Sequence, residues 1–304
     1  MSTLFDHRQI RRAFSRAAQH YDEAAALQRE VASRLSESLD YYEDPAHHGS
    51  PPQRVLDIGC GPGAMALAMQ QRWPKTQVIA LDLAPGMARE AQARFGTRAH
   101  LLDFRRRPAA ICADARALPL PDASVDVLFS SLALQWVEDL PAVFAGFRRV
   151  LRPGGLMLLS TFGSDTLWEL REAFAHADEA PHVSPFATIA QFGDALIAAG
   201  FKDPVLDRDE FVLGHADLAS LMRELRTLGA TNAMERRRRS LTGRARFERA
   251  AQAYEPMRRT DGLLPATWEV VYAHAWGPPA GAPIRVGGVD EVRVPATGIP
   301  VRRR

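Results

Sequence analysis

Cysteine is nearly absent from this chain: Cys60 and Cys112 are the only two, and no C-x-x-C spacing occurs. That excludes a disulfide framework and a thiolate metal site and leaves two reduced thiols. Lysine occurs only at Lys75 and Lys202, so arginine supplies almost every cation. No apolar run approaches the roughly 20 residues that span a bilayer, and Met1 to Phe14 carries Asp, His and Arg without an apolar signal core. A cytoplasmic protein without a membrane partner is expected. The adjacent His47 and His48 have no carboxylate or thiol at ligand spacing, so no metal is expected either. No Ser-His-Asp or Cys-His grouping presents a nucleophile, and no internal repeat is visible.

What is present fits a folded chain with a sizeable core: 304 residues, 46% hydrophobic and 24% charged, enough for one large domain or two small ones. The formal net charge is only +2, but its distribution is uneven. From Met222 to Arg259 eleven Arg face four Glu, and three more Arg close the chain at 302–304. Such a stretch is either a set of solvated helix faces or a dock for an acidic partner. It lacks interleaved aromatics and any base-flipping motif, so no nucleic-acid partner is expected.

Apolar positions at helical spacing run from Arg8 to Leu39, with a break at Tyr21. The Pro- and His-containing segment 44–52 reads as a linker. Short apolar runs then alternate with helical stretches, which argues for β-α units and a largely parallel sheet. Strands are expected at Arg54–Ile58, Gln77–Leu81, Ala109–Ala113, Val125–Ser130 and Leu156–Thr161. After Thr161 the alternation stops, and 162–187 reads as an insertion over the mouth of a site. Helices near Ile189–Ala199, Ala216–Leu228 and Gly243–Met257 follow, with strands at Val205–Leu213 and Ala266–Ala275. The Gly-, Pro- and Val-rich segment from Gly277 reads as a flexible tail.

The most informative stretch is Val55-Leu56-Asp57-Ile58-Gly59-Cys60-Gly61-Pro62-Gly63. Glycines at alternate positions let the backbone turn and approach a ligand without Cβ collisions, while the amides opening the next helix remain donors. A second acidic residue, Asp82, closes the next apolar run at the spacing of a carboxylate that grips ribose hydroxyls. A dinucleotide loop is usually G-x-G-x-x-G with a pyrophosphate on the helix N-terminus. Asp57 just ahead of the loop would repel two phosphates. It suits a ligand bearing an ammonium and a sulfonium, which describes S-adenosylmethionine.

These residues, with Asp114-Ala115 ahead of Leu118-Pro119 and with Met87 after Asp82, resemble class I S-adenosylmethionine-dependent methyltransferases. Flanking segments narrow the likeness. Ala13-Phe14-Ser15-Arg16-Ala17-Ala18-Gln19-His20-Tyr21-Asp22, Leu132-Ala133-Leu134-Gln135-Trp136-Val137, His182-Val183-Ser184-Pro185-Phe186 and Leu264-Pro265-Ala266-Thr267-Trp268-Glu269-Val270 look like the malonyl-acyl-carrier-protein O-methyltransferases of biotin synthesis. The resemblance covers roughly Arg8 to Trp276.

The resemblance implies an α/β, Rossmann-like, doubly wound fold: a mostly parallel seven-stranded sheet with one antiparallel edge strand, N-terminal helices and an inserted helical lid. It implies a helical cap over the cofactor at 1–40, a linker at 41–53, a methyltransferase domain at 54–276 with lid insertions near 162–187 and 215–262, and a tail at 277–304. It puts the methionine moiety against Asp57, Gly59 and Gly61, the ribose on Asp82, and the adenine at Asp114 and Ala115. Leu83 and Met87 would pack beside the adenine, a role that ordinary core residues fill equally well. Tyr21 would close the pocket, and Gln135 is a further candidate for the cofactor site; Trp136 reads as packing.

The implied reaction methylates the free carboxylate of a malonyl thioester on acyl carrier protein. It needs no general base, because a carboxyl group with a reference pKa of about 4 is already ionised. The protein has to hold an oxygen in line with the methyl, about 3 Å away, and exclude water. Arg171, His182 and Arg223 are the candidates for gripping the non-reacting oxygen. The basic region Arg223–Arg259 would steer the acidic carrier. Two alternatives accompany this reading: an S-adenosylmethionine-binding protein arginine hydroxylase related to complex I assembly factors, and a methyltransferase for another small carboxylic acid.

Overall fold

A computed structural model describes residues 4–96, 108–238, 243–286 and 289–291. It opens with α1 (His7–Ala17), α2 (Tyr21–Ala24), α3 (Ala26–Glu37) and α4 (Asp40–Glu43). The α/β core follows: β1 (Arg54–Ile58), α5 (Ala64–Arg72), β2 (Gln77–Asp82), α6 (Pro85–Gly96), β3 (Ala109–Cys112), β4 (Val125–Ser131), α7 (Leu140–Val150) and β5 (Leu151–Phe162). Next come α8 (Trp168–Ala175), α9 (Ile189–Ala198), β6 (Lys202–His215), α10 (Leu218–Thr227), α11 (Arg244–Tyr254) and β7 (Leu264–Trp276).

The seven strands lie in the order β3-β2-β1-β4-β5-β7-β6. Neighbours from β3 through β5 pair in parallel, while β7 runs against both β5 and β6, so the antiparallel pairing gathers at one edge. The order reverses between β1 and β4, which opens a crevice beyond their carboxyl ends. The central strands are buried on both faces because helices cover both. Leu56 and Ile58 join the cluster under α7 and α9, whereas Val55 joins the one under α3 to α6. β6 alternates between exposed and half-buried positions, as an outer strand with one wet face should.

Local chemistry starts the helices where the chain needs them. Asp139 caps α7 through Ala142, and Thr188 with Gln191 forms a reciprocal capping box on α9; each such cap stabilises by about 1 kcal/mol. A third apolar cluster joins α8, α10 and α11 to the end of β5 and the start of β7, beyond the carboxyl edge of the sheet. The inserted segments thus stand over the crevice.

Three readings of the chain change. β5 begins at Leu151 rather than Leu156, because 151–155 continues extended and Leu151 pairs with Val125. The first part of the segment read as a flexible tail is tied down. Gly277 exchanges backbone bonds of 2.8 Å with Gly154 and Gly155, and Arg148 donates to the carbonyls of Ala282 and Pro283. A small hairpin of β8 (Ile284–Val286) and β9 (Val289–Glu291) follows, and 292–304 lies outside the described residues. The segment read as a linker is also anchored: His47 stacks on Trp276, and His48 stacks on Tyr42 and bonds the Gly154 carbonyl at 2.8 Å.

Candidate active site

Two strands of the crevice end in carboxylates. Asp57, one residue before the end of β1, is 2% exposed, and its Oδ2 has no hydrogen-bond partner among the described residues. Burial, then the charge of Asp82, pushes its carboxyl up to about 7. Asp82 closes β2. Its Oδ2 accepts from the Gly61 amide at 3.0 Å and its Oδ1 from the Ala84 amide at 2.7 Å. Burial still outweighs those bonds and pushes Asp82 up to about 6.

Gly59 (φ +69°) and Gly61 (φ +53°) both occupy the left-handed region, so the loop between β1 and α5 needs glycine at these turns. A Cβ on Gly59 would overlap the Cβ of Ala133, where the chain after β4 crosses the loop. The result is a narrow cavity lined by backbone, by Asp82 and by the apolar Leu83 and Met87. Tyr21, Asp114 and Ala115 complete the lining. Burial, then Asp82, holds the Tyr21 phenol well above its ordinary value, so it stays a neutral donor.

Two carboxylates buried side by side without a cationic side chain between them favour a ligand that carries positive charge and hydroxyls. S-adenosylmethionine has both, and the glycine cradle leaves room for close approach of a ligand. The residues present fit that cofactor.

Most of the expected cofactor residues converge here: Gly59, Gly61, Asp82, Leu83, Met87, Asp114, Ala115 and Tyr21 line this cavity, whereas Asp57, expected among them, is buried and does not line it. Asp114 is more committed than its place in the chain suggests. Burial opposes its charge, but Arg116 grips both oxygens (2.6–3.1 Å) and holds the carboxyl below its ordinary value. Gln135 differs from expectation. It lines a second, larger cavity instead, with its Nε2 donating to the Leu132 carbonyl at 2.6 Å.

That second cavity, about 850 Å³, lies under α8, α10 and α11 and shares Phe14, Tyr21, Leu132 and Trp136 with the first. The sequence reads Trp136 as packing, yet the residue walls both spaces, held edge-on by Phe5 and Phe14. Only aromatic composition near the Gln135-Trp136 turn could have signalled it.

Of the three residues expected to hold an acceptor carboxylate, His182 lines this cavity, stacked on Phe174 and bonded to Asp178 at 2.8 Å. Arg171 does not. It donates to the carbonyls of Ser164 and Thr166 and braces the insertion. Arg223 is exposed on α10, 4.0 Å from Asp217, and lines neither cavity. Sequence reasoning missed Arg226, Thr231, Phe247 and Trp268 in the larger cavity, and His7, Ile10 and Phe14 in the smaller. The α1 residues lay inside a helical period that reads as plain core.

The N-terminal helices are latched over this junction. The Asp6 carboxylate accepts from Gln9 N and from Arg237 at 2.8 Å, and Phe5 bridges to Met234. Much of the basic region is likewise engaged: Arg249 donates to the Ala177 carbonyl, while Arg258 and Arg259 pair with Glu255 and Asp261. Arg236 is exposed and makes no ion pair among the described residues. No described helix is long and apolar enough to cross a membrane.

Known proteins resemble this chain in sequence and in fold. Residues 56–159 match the family model described as a methyltransferase domain. The chain is 54% identical over 304 residues to the malonyl-[acyl-carrier protein] O-methyltransferase of Xylella fastidiosa strain M23, covering 100% of this chain and 99% of the relative. It is 38% identical over 267 residues to the biotin biosynthesis bifunctional protein BioHC of Saccharophagus degradans, covering 86% of this chain and 45% of that longer protein. Among solved structures, the YcgJ protein of Bacillus subtilis shares the fold, with a TM-score of 0.55 over 80% of this chain and 97% of its own at 16% identity.

Proposed function

This chain belongs to the malonyl-[acyl-carrier protein] O-methyltransferase family, and we propose that its two joined cavities carry out that reaction: transfer of a methyl group to the free carboxylate of a malonyl thioester, the ester that primes chain building for biotin. The observation that carries the reading is the shared wall of Phe14, Tyr21, Leu132 and Trp136 between an anionic donor cavity and a large, mainly apolar acceptor cavity.

When bound, S-adenosylmethionine supplies an electrophilic methyl on a sulfonium. The chain's own residues do the rest. Asp57, which lines neither cavity, attracts the ammonium by its charge when ionised. Asp82 keeps lone pairs for vicinal hydroxyls while its bond to Gly61 holds the loop in place. Leu83 and Met87 offer an apolar slot to the adenine ring, with Ala115 and the Arg116-held Asp114 at its edge. Tyr21 remains protonated and can donate at the junction of the two cavities.

The acceptor needs no base, because a carboxylic acid with a pKa of about 4 arrives ionised. A low-polarity wall then favours a step in which a cation and an anion neutralise each other, provided the acceptor is oriented and water is kept out. The buried aromatic rings supply that exclusion. His182, with Asp178 behind it, is the candidate of the original three whose position suits contact with the acceptor. The helices at 7–37 act as a cap on the donor side, and the inserted segments form the acceptor side.

Exposed arginines of the 223–259 region, Arg236 among them, steer the acidic carrier by long-range attraction that added salt weakens. Transfer of label from the donor methyl to malonyl carrier protein, as an ester that mild base hydrolyses, tests the reading. Label that resists base, or oxygen gained by a protein arginine in place of a methyl, would refute it.

A further inference from the structure

The larger cavity has a polarity gradient that malonyl recognition alone does not require. Its wall is mainly apolar and buried or half-buried, yet among the described residues the exposed ones that line it are Pro181 and three arginines: Arg226, Arg238 and Arg244. Its mouth is therefore cationic.

The three arginines differ in how free they are. Arg238 lies 3.9 Å from Asp178. Arg244 pairs with Glu248 one helical turn away at 2.8 Å, with 93% of its side chain exposed, an arrangement too solvated to hold it firmly. The side chain of Arg226, at the last turn of α10, makes no hydrogen bond or ion pair among the described residues, although its carbonyl accepts from the Gly229 amide. A guanidinium left free beside a deep apolar cavity is suited to an anion at the outer end of a ligand whose remainder goes inside.

The wall carries a second sign. Gln28 Oε1, Thr231 Oγ1 and Trp268 Nε1 are buried without hydrogen-bond partners among the described residues, and all three residues line this cavity. Acceptors and donors spread along an apolar channel match a chain with amide groups better than a hydrocarbon. An acyl group on a carrier protein hangs from such a chain: two amides, then a phosphodiester at the protein end.

Resting on the function proposed above, we propose that Arg226, assisted by Arg244, binds the phosphodiester of the pantetheine arm at the cavity mouth. The arm's phosphate then fixes how far the thioester reaches toward the Tyr21 and Trp136 junction. Recognition of the arm is thereby separate from attraction of the carrier's acidic surface.

The test uses two small substrates with the full-length enzyme, malonyl-phosphopantetheine and malonyl-pantetheine, which differ only by the phosphate. The wild type should prefer the phosphorylated one in kcat/KM by about tenfold or more, the scale of a charge-assisted hydrogen bond, chiefly through KM. In Arg226→Gln that preference should fall toward one, and Arg244→Gln should lower it less; melting temperatures near wild type show that both variants fold. Equal use of the two substrates by the wild type, or a preference unchanged in both variants, would overturn the phosphate site while leaving methyl transfer intact. Failure to methylate either substrate or the malonyl carrier protein would instead remove the functional reading and this proposal with it.

Discussion

The Gly61 amide donates to Asp82 Oδ2 at 3.0 Å, so the loop after one strand is held by the carboxylate that ends the next. One side chain therefore shapes the cradle and, on the function proposed above, offers acceptors to the ligand. Asp82→Asn keeps the size and loses the charge. Affinity for S-adenosylhomocysteine, measured by calorimetry, should fall roughly 10- to 100-fold, the range for losing charge-assisted hydrogen bonds. An unchanged affinity would mean the ribose is held elsewhere.

Acidity supplies a second test. The folded pKa of Asp57, about 7, is raised far above its unfolded value of about 4. Its contribution to stability is thus fully present below that unfolded value and is lost as pH rises through about 7. A ligand ammonium needs the ionised form, so binding runs the other way. Affinity for the donor should climb with pH up to about 7 and then level off, by at most about tenfold per unit between about 6 and 7 and more steeply below about 6, where Asp82 is protonated as well. Asp57→Asn should lose the inflection near 7. A flat affinity in the wild type would contradict the assignment.

Gly59 and Gly61 separate backbone strain from steric overlap. Gly61→Ala meets only Tyr21, at 3.9 Å, and should cost about 1–2 kcal/mol from its left-handed backbone alone. Gly59→Ala adds the clash with Ala133 and should lose more stability and abolish donor binding. Denaturant titration ranks the two; equal losses would show that the clash relaxes freely.

Much of this site was legible because residue type and position were tied together by topology. Asp57 and Asp82 end apolar runs, and in a parallel sheet such ends share one edge, so their meeting follows without any contact being known. Gln135 and Trp136 were harder. They sit in a single tight turn, Leu134–Trp136, where no periodicity says which side chain turns to which cavity. Arg171 and Arg223 were singled out for their charge, but carbonyls left open by the insertion hold one and solvent surrounds the other. Arg226 was hidden in a basic run whose members differ only in what their neighbours supply. The stretch from Gly277 looked mobile by composition, and its anchor, Arg148, lies far away on α7.

The latch between α1 and the acceptor side predicts a kinetic effect. Asp6 is held below its ordinary pKa by the hydrogen bond from Arg237, and cutting that pair should loosen the cap over the donor cavity. Asp6→Asn should speed both donor entry and release in stopped-flow fluorescence with less change in affinity. Slower exchange, or none altered, would argue that the cap does not gate the site.

The central claim is most directly tested by the intact mass of malonyl carrier protein after incubation with the purified enzyme and S-adenosylmethionine. We predict the gain of a single methylene unit on the malonyl group, absent when both Asp57 and Asp82 are replaced by Ala. An unchanged carrier mass with the wild-type enzyme, or a full gain with the doubly substituted one, would contradict it.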